Sequence, residues 1–200
     1  MRSARGAVIW SGVAAAIVVP IAAAAMSEQL AWRHPVYIAA GFAGIVGLAL
    51  LLVQPMLMSR SLPGLPAPRG RRLHRWIGIL LVGTVIAHVG GLWVTSAPDV
   101  IDALLFVSPT PFSAWGVIAM WAVFAVAVLA AVRRRLRPRV WHIGHMLLAA
   151  IIVAGSVVHA LLIEGTMETI SKVVLCALVV VATLKVIADL LAGAKRATPP

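Results

Sequence analysis

Four histidines stand in two matched settings: His74 and His88 lie in one apolar run, His145 and His159 in another, and each pair is fourteen residues apart. An imidazole is costly to place in hydrocarbon, so a histidine inside such a run is read first as a functional group with a partner. A neutral ring nitrogen is a common metal ligand. On an α-helix fourteen residues rise about 21 Å and return to within about 40° of the starting direction. Both histidines of a run therefore face one side, at two depths.

The elements that must position them follow from composition. Of 200 residues 62% are hydrophobic and only 12% are charged, outside the soluble range, so the chain reads as an integral membrane protein. The formal charge of +11 is not the footprint of nucleic-acid binding, because the basic residues sit in short clusters between apolar runs. Crossing a bilayer takes about 20 apolar residues. Six stretches qualify, at residues 7–26, 36–58, 73–95, 113–132, 140–163 and 170–192. All should be helices, since backbone facing lipid must satisfy its own hydrogen bonds. The expected fold class is thus an all-α bundle of six transmembrane helices, with Pro20 kinking or ending the first. The basic amino terminus is read as the start of an uncleaved first helix. Cys176, the one cysteine, allows no intrachain disulfide and reads as a small buried apolar residue.

The connections give orientation. One side collects Arg2 and Arg5, then Arg60, Arg69, Arg71, Arg72 and Arg75, then Arg133, Arg134, Arg135, Arg137 and Arg139, and finally Lys185, Lys195 and Arg196. These are 15 of the 17 Lys and Arg, whereas Arg33 and Lys172 alone fall on the other side. By the positive-inside rule both termini are expected in the cytoplasm. The chain divides into a first helix and outer loop (1–35), a core that carries the paired histidines (36–192) and a short cytoplasmic tail (193–200). Ser61 to Arg72 reads as a turn-rich connector. The apolar stretch Val100 to Val107 reads as lying in the interface or folding over the outer mouth.

The third and fifth helices run the same way through the membrane. Equal spacing then brings His74 level with His145 near the cytoplasmic face, and His88 level with His159 near the outer face. Haem suits such pairs, because a flat apolar macrocycle fits between helices while its iron takes an axial histidine from each side. Zinc suits them less, because tetrahedral sites want three or four ligands and no Asp, Glu or Cys lies near these histidines in sequence. His142, three residues before His145, competes for the inner site, or serves as a residue behind the ligand or a propionate partner. Arg71, Arg72, Arg75 and Arg139 are either propionate partners or topology signals. Gly78, Gly83, Gly90, Gly91, Gly144 and Gly155 are either points of close porphyrin approach or helix-packing residues, and Gly41, Gly44 and Gly47 read as a packing stripe on the second helix. His34 reads as a solvated interfacial residue. No carboxylate pair, nucleophile or phosphate loop competes as a catalytic site.

The run Arg72-Leu73-His74-Arg75-Trp76 on to His88, and the run Trp141 to His145 and on to His159, resemble the ferric reductase-like transmembrane domain. That family includes the haem cores of NADPH oxidases and ferric reductases and the bacterial haem subunit serving periplasmic methionine sulfoxide reductase. The resemblance extends over about residues 36–192 and includes the tryptophan four positions before His145. It implies six helices with bis-histidine haem b between the third and fifth, and an oxidoreductase component of a bacterial inner membrane. The family often spaces the histidines of its fifth helix one residue closer, so one haem or two stays open. Oxidases and ferric reductases of the family continue into a flavin and nicotinamide domain, whereas this chain ends at Pro200. The donor is therefore expected to be a separate flavoprotein, with a flavin bound through that partner, or a quinol. The expected acceptor lies outside, as ferric iron, oxygen or a periplasmic protein. The alternatives are an ascorbate- or quinol-dependent diheme cytochrome, and a transporter or structural membrane subunit without cofactor.

Overall fold

The computed structural model of the chain describes residues 2–59 and 61–197. Arg60, counted in the charge pattern, lies outside the described residues. Among the described residues seven α-helices follow in order: α1 (Arg2–Ala25), α2 (Pro35–Met58), α3 (Ala67–Thr95), α4 (Ala97–Leu104), α5 (Pro111–Val132), α6 (Pro138–Leu162) and α7 (Thr169–Ala197). No strand occurs among the described residues. All but α4 are long and apolar enough to cross a membrane, which gives the six expected spans.

Proline sets the starts. Pro35, Pro68, Pro111 and Pro138 occupy the first turns of α2, α3, α5 and α6, where a missing N–H costs nothing and a fixed φ favours the helix. His34 caps α2, its Nδ1 accepting the Val36 N–H at 3.2 Å. Glu168 caps α7, its two carboxylate oxygens accepting the N–H groups of Ile170 and Ser171 at 2.6 Å each.

α3 packs along α2 and α6 packs along α5, forming two hairpins. α7 joins them by lying against both α2 and α6, and α1 sits outside on α7 and α2. The core is shared by Leu48, Leu52, Leu81, Val123, Ile152, Leu175 and Val179. Large apolar side chains also cover the outside, among them Ile79, Leu80, Leu147 and Val181. That outward apolar coat is what lipid, not water, would meet.

One boundary shifts and two open readings are narrowed. The second half of the supposed turn-rich connector is helical, since α3 starts at Ala67, and its first turns carry Arg69, Arg71 and Arg72. α1 runs through Pro20 to Ala25 rather than ending there. The outer stretch is helical as far as Leu104, in α4, which packs against α3 and α5. Lys172 is only 6% exposed and donates from Nζ to the Ile163 carbonyl at 2.9 Å, tying the start of α7 to the end of α6. A cation there offsets the partial negative charge of the α6 terminus. Cys176 is buried, as expected.

Candidate functional site

The histidine-bearing helices α3 and α6 barely touch; their imidazoles reach across the space between the two hairpins. His74 faces His145 with ring centroids 6.0 Å apart and planes at 68°. His88 faces His159 at 6.4 Å and 80°. Equal spacing on parallel helices has thus produced two level pairs. His142 is not in either: it is exposed, and its Nδ1–H donates to the Pro138 carbonyl of its own helix at 2.6 Å.

Three of the four rings are held from behind. His88 Nδ1–H donates to the Ala40 carbonyl at 2.7 Å, His159 Nδ1–H to the Phe112 carbonyl at 2.9 Å, and His74 Nδ1–H to the Gln54 carbonyl at 3.3 Å. A carbonyl oxygen can only accept, so each bond puts the proton of the neutral ring on Nδ1 and leaves the Nε2 lone pair free. This is the arrangement that fixes metal-binding imidazoles and raises their basicity. Gln54 adds a second tie, donating from Nε2 to the His74 carbonyl at 3.3 Å. His145 is the exception. Its Nδ1 is buried without a hydrogen-bond partner among the described residues, and the ring lies against Trp141 instead, at 5.0 Å and 30°.

Space for the bonded rings comes from glycine. A Cβ at Gly116 would stand 2.7 Å from His159 Nδ1, and one at Gly44 would stand 3.0 Å from His88 Nδ1. The two hairpins repeat one device: a carbonyl receives the imidazole N–H, and four residues later a glycine lets the ring lie against the helix. Ala40 and Gly44 do this in α2, Phe112 and Gly116 in α5. Gly116 escaped sequence reasoning, and Gly44 was read only as packing. The signal was present, because Gly44 and Gly116 are 72 residues apart and the matched histidines 71. The other glycines act differently: Gly91 and Gly155 let helix partners approach, whereas Gly83 and Gly90 are exposed with nothing near. Arg71, Arg72, Arg75 and Arg139 are exposed at the same end as the His74/His145 pair, and none pairs with a carboxylate among the described residues.

Whether haem iron suits these pairs can be tested on distance. Metal–imidazole bonds of about 2.0 Å and a ring radius of about 1.2 Å, set by C–N bonds of about 1.33 Å, put two coaxial imidazoles on one ion about 6.4 Å apart, centroid to centroid. The observed separations of 6.0 and 6.4 Å fit. Groups of three or more His, Cys, Asp or Glu able to hold a metal do not occur among the described residues, so the donor set suits a bis-axial group and not a tetrahedral ion. An open hollow of about 460 Å³ lined by Ala23, Gln29, Glu168 and their neighbours lies apart from all four histidines.

The fold and the site together define an all-helical, multi-pass membrane protein whose two hairpins present paired histidines to one another. The chain belongs to the family described as ferric reductase like transmembrane component, whose model matches residues 40–156. The matched stretch carries His74, His88, His142 and His145 and ends short of His159. No curated protein and no solved structure matches the chain.

Proposed function

We propose that the chain is a b-type haem electron-transfer subunit of a bacterial inner membrane, both termini cytoplasmic, in which His74 and His145 would hold an inner haem and His88 and His159 an outer one. Electrons enter from a cytoplasmic flavoprotein or a membrane quinol and leave to an outer acceptor such as ferric iron or a periplasmic reductase. The observation that carries this reading is the imidazole geometry: two pairs at the separation of a shared ion, with three of the four rings bonded at Nδ1 so that Nε2 is free to coordinate. The orientation rests on the charge bias of the connections.

Bound haem would supply a reversible one-electron carrier. The chain's residues do the rest. The carbonyls of Ala40, Phe112 and Gln54 hold three rings in one tautomer and orientation. Gly44 and Gly116 let the outer rings lie close to the neighbouring helix. The exposed arginines of α3 and α6 offer charge to propionates at the inner mouth.

Purified protein expressed with sufficient haem should contain about two low-spin haems per chain, with reducible Soret and alpha bands. His74→Ala and His159→Ala should each remove about one of them. A colourless protein would favour the cofactor-free transporter or structural subunit. Reduction by ascorbate without a flavoprotein would favour the diheme cytochrome. His142→Ala should retain both haems.

A further inference from the structure

The four imidazoles are not equivalent, and the difference falls on one residue. The matched hairpins pair Ala40 with Phe112, 72 residues on, so the counterpart of Gln54 is Val126. His74 uses the Gln54 carbonyl; His145 Nδ1 makes no hydrogen bond to Val126 or to any other described group. Four residues before His74 stands Gly70, where a Cβ would lie 3.0 Å from the Leu57 carbonyl and an indole has no room. Four residues before His145 stands Trp141, one helical turn away on the same face, with its ring stacked on the imidazole. The second hairpin has replaced a polar tie by an aromatic one.

We propose that Trp141 is the positioning residue of His145 and that His145 is the exchangeable ligand of the four. This rests on the bis-histidine reading above. Stacking fixes the plane of the ring but gives Nδ1–H no acceptor, so the imidazole keeps a neutral ring's basicity and donates more weakly to a metal than its hydrogen-bonded counterparts. The inner site therefore opens on the His145 side to a small neutral ligand. In that exchange the imidazole leaves with its Nε2 lone pair, the incoming ligand donates a pair in its place, and no electron is transferred.

Carbon monoxide added to the dithionite-reduced holoprotein is the probe. In a variant keeping only the inner site (His88→Ala with His159→Ala), carbon monoxide should bind the remaining haem. In a variant keeping only the outer site (His74→Ala with His145→Ala), it should bind at least about tenfold more weakly. Equal binding to both, or tighter binding to the outer-only protein, overturns the proposal. Trp141→Ala should convert one of the two haems from low to high spin in the ferric state while haem content holds, and Trp141→Phe should restore the low-spin spectrum. A Trp141→Ala protein with both haems low-spin and unchanged in carbon monoxide affinity overturns the assignment of Trp141. A wild-type protein without haem would instead defeat the underlying ligand reading, so the two failures are distinct.

Discussion

At the scale of single residues, a buried imidazole is held in one tautomer and orientation when its second nitrogen is committed, and for three of the four histidines that commitment is made by backbone. The Ala40 and Phe112 carbonyls accept from His88 and His159 at 2.7 and 2.9 Å, shorter than the 3.3 Å bond from His74 to Gln54. The outer pair is accordingly the more firmly set. Its dependence on glycine can be tested: Gly116→Ala would bring a methyl to 2.7 Å from His159 Nδ1, pushing the ring off the Phe112 carbonyl. About one haem per chain should be lost, the inner one remaining. Gly44→Ala, at 3.0 Å from His88, should do the same less completely. Gly83→Ala and Gly90→Ala, both in open space, should leave the haem spectrum unchanged.

At the scale of elements, the six spans were legible because length and apolarity suffice to specify a membrane helix. The level pairing was legible because fourteen residues is close to a whole number of helical turns. What escaped was relational. The sequence leaves open whether His142 or His145 faces the third span; the rotation of α6, set by its packing on α5, decides this in favour of His145. The carbonyls behind the rings were not legible either, since every residue has one and only the tertiary fit selects Ala40, Phe112 and Gln54. The start of α3 was missed because Pro63, Pro66 and Pro68 look like breakers, although a proline in the first turn begins a helix.

One element boundary carries a pH prediction. The N–H groups of Ser171 and Ile170 hold the Glu168 carboxyl below its ordinary range. A carboxyl with a depressed folded-state pKa stabilises the fold above its unfolded-state value, and that contribution is lost as pH falls through the folded value. Glu168→Ala should therefore lower the thermal midpoint in detergent modestly at pH 7. The difference from wild type should shrink on acidification and vanish once the wild-type carboxyl is protonated. A difference independent of pH would mean that Glu168 does not act through its charge.

At the scale of the whole molecule, the two hairpins and α7 make a frame in which both histidine pairs lie between α3 and α6, and most of the arginines gather at one end. The fourteen-residue spacing then has an electrical consequence. Two sites about 21 Å apart along the helix axis span roughly two-thirds of a hydrocarbon layer about 30 Å thick. A unit charge crossing the full layer at 100 mV exchanges about 2.3 kcal/mol with the field, so the step between the two levels exchanges about 1.6 kcal/mol. In the proposed orientation an electron moving outward leaves the negative side, so the field drives it and is partly discharged by it. In vesicles, outward transfer should accelerate under an inside-negative potassium diffusion potential and slow when the potential is reversed. A rate indifferent to voltage would mean that the step between the levels does not limit transfer. With His74 and His88 set at opposite depths, a distance counted along one helix becomes a share of the membrane's voltage.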